Sequence, residues 1–342
     1  MKRKLLALLL VLTFVLASCS TKDQETVSFY NWGGTIKDEV LVKFYEETGI
    51  KVVYSEFDEN ENMYTVVKSS PSDYDLIVPS EYMVEKMIKE DMLREIDHSK
   101  LENFDEIGEA FLDKEFDPKN KYSIPMFYGT VGILYNKTKV DPADMNEWDI
   151  LFNKKYERQI WMLDSSRDSM APGYWHLGYS ANSTSEEQLK EVQELMMNQK
   201  SLVTAYLQDE IKQHMVNNNG AIAVVYSGEA REAMAENPDL DYYLPTVTNL
   251  WIDNFAIPKD AKNYENALKL IDFFCRPDIA AMSGDEQGTP IMKARDLEPV
   301  KSIKNFDVIY PDMDKMDKKE IYSDLGDFTE TFEDAWEAVK NK

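Results

Sequence analysis

The fold is decided by the stretch that opens Thr26-Val27-Ser28-Phe29-Tyr30-Asn31, continues through Ile36 to Gly49 and Ile50-Lys51-Val52-Val53-Tyr54, and closes on Tyr74-Asp75-Leu76-Ile77-Val78-Pro79-Ser80. The first segment has the β-branched and aromatic content of a strand. Ile36 to Thr48 carries Ile36, Val40, Leu41, Phe44 and Tyr45 at helical spacing, and Gly49 is its stop. Ile50–Tyr54 is the next strand, Asn62–Ser69 a helix, and Tyr74–Val78 a short buried strand ended by Pro79. Ser80 stands where it can cap a helix running to about Lys89. A β-α-β-α-β run of this kind predicts a parallel sheet with right-handed crossovers in an α/β fold.

The alternation resumes further on. Strands are expected over Gln159–Leu163, Leu202–Ala205, Ala221–Tyr226 and Leu250–Ile257, with helices over Ser185–Met197, Asp209–Val216 and Gly228–Glu236. A longer helix, Tyr264–Cys275, and a terminal one near Glu330–Lys340, with Phe332, Trp336 and Val339 on one face, complete the pattern. At 342 residues the chain has room for two domains at ~150 residues each. No Pro/Gly/Ser-rich linker separates the two regions, which fits a chain that crosses between domains by strands.

Upstream, Lys2, Arg3 and Lys4 precede Leu5–Ala17, which is apolar except for Thr13. That run falls short of the ~20 residues of a membrane span and has the shape of a secretory leader. Leu16-Ala17-Ser18-Cys19 is similar to a bacterial lipobox, in which Cys19 becomes the acylated first residue of the mature chain. Residues 1–18 are then the signal peptide and 19–25 a tether. The chain is expected outside the cytoplasm, in the periplasm or on the outer face of the membrane.

The composition narrows the function. Sixty-three Asp+Glu against 38 Lys+Arg give a formal net charge of −25. Phosphates are repelled by such a surface, so nucleic acid is excluded as a partner, and cationic or neutral small ligands are favoured. Two cysteines make no disulfide framework; Cys275, in an apolar helix end, reads as a packing thiol. Phosphate-binding, zinc-protease, thiol-redox and serine-hydrolase motifs are absent. His98, His176 and His214 are far apart and read as structural. Asp58-Glu59-Asn60-Glu61 reads as a solvated turn without the spacing of a calcium loop. The chain is read as a monomer that is not an enzyme and carries no metal and no cofactor.

Aromatic and polar residues stand together at strand ends: Tyr30-Asn31-Trp32, Ser80-Glu81-Tyr82, Tyr226-Ser227-Gly228 and Trp251-Ile252-Asp253. Ligands of open α/β sheets gather at such ends. Rings that cover methylenes and attract ammonium groups, together with carboxylates that accept charge-assisted hydrogen bonds, suit an elongated organic cation.

Phe29-Tyr30-Asn31-Trp32, Glu47-Thr48-Gly49-Ile50-Lys51-Val52, Tyr74 to Ser80, Tyr122-Ser123-Ile124-Pro125, Trp251-Ile252-Asp253 with Ala256-Ile257-Pro258, and Ala267-Leu268-Lys269-Leu270-Ile271 together resemble the bacterial spermidine/putrescine-binding proteins, the substrate-binding components of polyamine ABC importers. The resemblance runs from about Val27 almost to the C-terminus. It implies a two-lobed periplasmic-binding-protein fold of type II, hinged by crossing strands near Gly129-Thr130-Val131 and Trp251-Ile252-Asp253. Lobe one would comprise 26–129 and 252–297, and lobe two 130–251 and 298–342. A polyamine would be held between the lobes and passed to permease subunits, with the lipid bilayer reached through acylated Cys19.

The resemblance also implies contacts. Trp32 matches an aromatic that packs on the ligand, Ser80 and Tyr82 a Ser-x-Tyr pair, and Trp251 and Asp253 a Trp-x-Asp pair in which the ring stacks and the carboxylate binds an amine. Asp168 stands where the family's spermidine binder has Glu, and Tyr226 where it has Trp. Tyr322 replaces a Gln. At the periphery, Gly33 and Thr35 replace Thr and Tyr, Ser165 replaces an Asp that here precedes it as Asp164, and Thr289 replaces a Tyr. Another small cationic metabolite as ligand, or an extracytoplasmic enzyme or adhesin on the same scaffold, are the competing readings.

Overall fold

β1 (Thr26–Trp32) pairs in parallel with β2 (Lys51–Phe57) along its whole length, from Thr26 opposite Lys51 to Trp32 opposite Phe57. The computed structural model describes residues 24–283, 288–311 and 318–341. The leader, Cys19 and the first part of the tether lie outside the described residues. On its other side β1 meets β3 (Leu76–Ile77), again in parallel. The connections are α1 (Asp38–Thr48) and α2 (Asn60–Ser69), and α3 (Glu81–Lys89) follows β3. α1 buries Val40 and Phe44, whereas Tyr45, expected on the same stripe, is 48% exposed: one residue past Phe44 is ~100° further round the helix. Gly49 takes φ 72 and donates its N–H to the Tyr45 carbonyl, a left-handed stop that side chains other than glycine resist.

The parallel arrangement ends at β3. Its neighbour is β9 (Val247–Ala256), which runs antiparallel, and the sheet is therefore mixed. The strand order is β2-β1-β3-β9-β4-β7-β5-β6. Here β4 is Ser123–Asn136, β5 is Ile160–Leu163, β6 is Val203–Leu207 and β7 is Ile222–Tyr226. β8 (Leu240–Tyr243) pairs with β4, and β10 (Lys318–Glu320) with β9.

β4 and β9 each serve two sets of partners. β4 pairs with β9 as far as Thr130 opposite Leu250, then with β7 from Val131 opposite Tyr226. β9 pairs with β10 over Val247–Asn249 and with β4 from Leu250 onward. The β2-β1-β3 group is thus joined to the β7-β5-β6 group by two strands that run through both. They cross where Gly129 faces Trp251. A Cβ on Gly129 would lie 2.2 Å from a Trp251 ring carbon, so the indole occupies space that only glycine leaves free.

Further helices flank the sheet, among them α4 (Ser166–His176), α5 (Glu186–Gln199), α6 (Glu210–Val216), α7 (Ser227–Glu236), α8 (Tyr264–Phe274) and α9 (Pro277–Ser283). α10 (Thr329–Lys340) closes the chain and buries the expected face of Phe332, Trp336 and Val339. On one side the core centres on Phe29, Phe255 and Phe274, whose ring centroids lie 5.4 to 6.1 Å apart. Buried rings of this size dominate core energetics. Cys275 is buried, and burial pushes its thiol pKa up, away from reactivity. The histidines serve packing: His214 stacks on Trp161, His98 meets Asn120 O at 2.6 Å, and His176 meets Asp149 Oδ1 at 2.6 Å.

Candidate functional site

Ser80 occupies the N-cap position of α3, but its hydroxyl does not cap the helix. It donates to Asp253 Oδ1 at 2.7 Å. Ser80 and Asp253 also face each other as an isolated antiparallel bridge, which brings the end of β3 against β9. Asp253 is buried. The hydrogen bond from Ser80 favours its charged form, but desolvation outweighs it and pushes the pKa up to about 7. The Trp32 indole leans on Phe57 with ring centroids 4.6 Å apart.

The organiser of this pole is Asn60. Its Oδ1 accepts the Ser80 N–H at 3.1 Å, and its Nδ2 donates to Ser80 Oγ at 3.1 Å and to the Tyr82 hydroxyl at 3.0 Å. The Tyr82 hydroxyl donates in turn to Glu61 at 3.1 Å. The expected solvated turn holds for Asp58, Glu59 and Glu61, which are exposed, but Asn60 is buried and begins α2, because its amide satisfies three groups of the β3–α3 corner. No periodicity or motif marks such a role in the sequence.

A second pole forms around Asp168, in the first turn of α4. Asp168 Oδ2 accepts from Tyr226 OH at 2.7 Å and from Ser165 Oγ at 2.9 Å, and Oδ1 accepts from Tyr322 OH at 3.2 Å. Ser165 also caps α4 by accepting the Asp168 N–H at 3.4 Å. Burial and the neighbouring Asp168 charge push the Tyr226 and Tyr322 hydroxyl pKa values well up, so both remain donors. The Arg167 guanidinium lies over the Tyr322 ring at 4.4 Å and the Tyr82 ring at 5.6 Å, and backs this wall with a buried cation. Tyr226 meets Trp251 edge-on, with centroids 6.3 Å apart and planes at 86°. That ring pair follows directly from the crossing of β4, β7 and β9.

Ser80, Asp168, Trp251, Asp253 and Tyr322 are all buried, and Trp32, Tyr82 and Tyr226 are half-buried. Two hydrogen-bonded networks join six of the eight principal residues, the Trp251 ring meets the second through Tyr226, and the Trp32 ring packs on Phe57. The peripheral residues divide. Ser165 belongs to the Asp168 pole. Asp164 is ion-paired with Lys340 at 3.2 Å. Thr35 spends its hydroxyl locally, accepting from Asn31 at 2.7 Å and donating to Trp32 O at 3.0 Å. Gly33 lies in an exposed turn, and Thr289 Oγ1 accepts the Ile291 N–H at 3.2 Å. Among the described residues neither Asp168 nor Asp253 has a Lys, Arg or His partner; their bonds come from neutral donors. No group of described His, Cys, Asp and Glu residues is arranged to hold a metal.

Two buried carboxylates flanked by rings, set where two crossing strands join two α/β halves, define a solute-binding protein. Residues 39–306 match the family of bacterial extracellular solute-binding proteins. The chain is 34% identical to the spermidine/putrescine-binding periplasmic protein of Salmonella typhimurium, with 95% of this chain and 94% of the relative covered. It is 30% identical to a putrescine-binding periplasmic protein of Pseudomonas aeruginosa, covering 89% and 88%. Among solved structures, the spermidine/putrescine ABC transporter substrate-binding protein of Streptococcus pneumoniae superposes with a TM-score of 0.81 at 40% identity, covering 93% and 99%. A putative spermidine/putrescine ABC transporter protein from Listeria monocytogenes gives 0.87 at 39%, covering 92% and 99%. The chain belongs to the spermidine/putrescine-binding branch of the bacterial extracellular solute-binding proteins, and its fold is the type II periplasmic-binding-protein fold. These relatives are transport components, and no helix among the described residues is long and apolar enough to cross a membrane.

Proposed function

We propose that the protein captures a polyamine, spermidine or putrescine, between Asp253 and Asp168 and delivers it to the permease of an ABC importer. One observation carries this reading: among the described residues, both buried carboxylates are hydrogen-bonded by neutral side chains and by no cation. A buried carboxylate without a cation is costly, and an ammonium at each end offsets that cost. Trp32, Tyr82, Tyr226 and Trp251 enclose the methylenes between, each ring worth ~0.5–2 kcal/mol towards a cation. Ser80 and Tyr322 orient the carboxylates, and Ser165 and Asp164 border the second pole. Gly33, Thr35 and Thr289 act through the shape of the surrounding turns. No bond is made or broken; the protein works as a binder and not as an enzyme.

The lobes follow the strand crossing: 26–129 with 252–297, and 130–251 with 298–342. Closure of one on the other sequesters the ligand, as in hinge-type binding proteins. The net charge of −25 draws a polycation towards the cleft. Residues 1–18 serve as a signal peptide, and Cys19 carries the lipid that holds the monomer at the outer face of the membrane, with 19–25 as its tether.

A thermal-melt panel of spermidine, putrescine, spermine, arginine and maltose tests the reading. A selective ligand at a hundredfold excess over its Kd adds ~2.7 kcal/mol of stability. Stabilisation by polyamines alone is expected. Stabilisation by arginine or maltose, with none from polyamines at millimolar concentration, overturns the reading.

A further inference from the structure

One edge of β9 is covered by β10 as far as Asn249 and by Pro79 and Ser80 from Asp253 onward. In the interval the Ile252 N–H meets a side chain instead of a strand: it donates to Glu81 Oε2 at 2.9 Å. The other oxygen, Oε1, accepts the Tyr322 N–H at 3.3 Å. Glu81 has no exposed surface and no cationic partner among the described residues. Its place at the first residue of α3 favours negative charge there. Two backbone donors converge on it, one on each oxygen, and a carboxyl group keeps a lone pair for each of them in either protonation state. A glutamine would turn an NH2 group toward one of them, and an aspartate is one methylene short.

α3 extends the grip. Glu85 Oε2 accepts the Asp324 N–H at 2.8 Å, and Lys89 Nζ donates to Asp324 Oδ2 at 3.0 Å. Residues 81, 85 and 89 recur at helical spacing, so one face of α3 holds the 322–324 segment. From the other side Asn182 accepts the Ser323 N–H at 3.0 Å and donates to Ile321 O at 2.8 Å, while Arg167 donates to Ser323 O at 3.0 Å. An unbroken series of contacts therefore runs from Asp253 through Ile252, Glu81 and Tyr322 to Asp168.

We propose that Glu81 is a positioning residue that fixes the separation of the Asp253 and Asp168 poles and thereby selects the length of the bound amine. The inference rests on the reading of both carboxylates as ammonium receivers. With the poles fixed, a diamine one methylene too long or too short leaves an ammonium misplaced in a buried site, which is penalised heavily. With a pole free to shift, the wrong length is accommodated and discrimination falls.

The test is calorimetric titration of putrescine, cadaverine and spermidine into the wild type, Glu81→Gln, Glu81→Ala and the Glu85→Ala/Lys89→Ala double variant. Ligand-free melting curves identify which variants fold. In the Glu81 variants the preferred amine should bind about tenfold more weakly. The ratio between the preferred amine and the next should shrink by about threefold or more. The double variant, altered only on the outer part of α3, should shift the ratio in the same direction, and it carries the test alone should the buried substitutions prevent folding. A merely structural role lowers all three affinities by one common factor; that result, or unchanged ratios, overturns the role of Glu81 while leaving the polyamine reading intact. A wild type that binds none of the three overturns that reading and the length selection with it.

Discussion

The Tyr226 hydroxyl donates to Asp168 Oδ2 at 2.7 Å, which ties the end of β7 to the first turn of α4. Tyr226 also stands opposite Val131, the residue at which β4 leaves β9 for β7. The Asp168 pole is thus set by the strand crossing itself, as the Asp253 pole is by β9. Replacement of Tyr226 by Phe removes the donor and keeps the ring. It should weaken polyamine binding by about 1–2 kcal/mol with little change in ligand-free melting temperature. Titration calorimetry of that variant checks the outcome; an unaltered Kd places the ligand elsewhere.

Asp253→Ala should cost roughly 2–5 kcal/mol of binding, because a buried ammonium loses its partner. Competition against a fluorescent polyamine measures it. Asp253→Asn separates charge from shape: it keeps an acceptor for Ser80, and its binding loss should approach that of the alanine variant.

The pH dependence has a definite sign. Burial raises the folded-state pKa of Asp253 to about 7 and of Glu81 to about 8. An unfolded chain titrates these groups near ~4. Between those values the folded protein holds protons that the unfolded chain has released. The stability from this source is complete below ~4 and is lost as pH rises through about 7 and 8. Ligand-free melting temperatures across that range should therefore fall with rising pH, and the slope should be shallower in Asp253→Asn. Polyamine affinity should run the other way, rising until Asp253 is ionised and then levelling, with proton release on binding detected by titrations in two buffers of different ionisation enthalpy.

Gly129→Ala should displace the Trp251 indole, since the added carbon meets Ser227 Oγ at 2.7 Å as well as the ring. Overpacking of this kind costs ~1–3 kcal/mol. Trp251 fluorescence and ligand affinity should both change; a variant with wild-type affinity and emission would mean that the strands part without moving the ring.

Cys19→Ser should release the protein from the membrane fraction of its host into the soluble extracytoplasmic fraction. Fractionation followed by immunoblotting reads this directly, and retention in the membrane would point to another anchor.

The first three strands and the helices between them were legible because hydrophobic periodicity and turn residues agree there. Gly49, for example, both ends a helical stripe and takes the left-handed conformation found at that position. β4 was not legible as one strand. Pro125, Gly129 and Gly132 punctuate its fourteen residues, and its continuity depends on partners far away in sequence, β9 and then β7. α4 was hidden by Pro172 and Gly173 in its interior, which local propensity counts against a helix and which burial overrides. Trp32, Ser80, Tyr82, Tyr226, Trp251 and Asp253 stood out because aromatics beside polar or acidic residues recur at strand ends, whereas Asp168 and Tyr322 came only from the family resemblance. Asn60 and Glu81 did not stand out, since their work is to hold backbone N–H groups and neighbouring side chains that come together only in the folded sheet.

The course of β9 bears on the order in which the chain matures. β3 has only β1 and β9 as neighbours, and the first half of β4 also pairs with β9, whose residues end at Ala256. The β2-β1-β3 half therefore gains its last neighbour, β9, only when about three-quarters of the 342 residues have been made, so its completion waits on sequence far downstream of its own strands. Refolding of this half is accordingly governed by the long-range pairing of β3 with β9 and not by its local βαβ units alone.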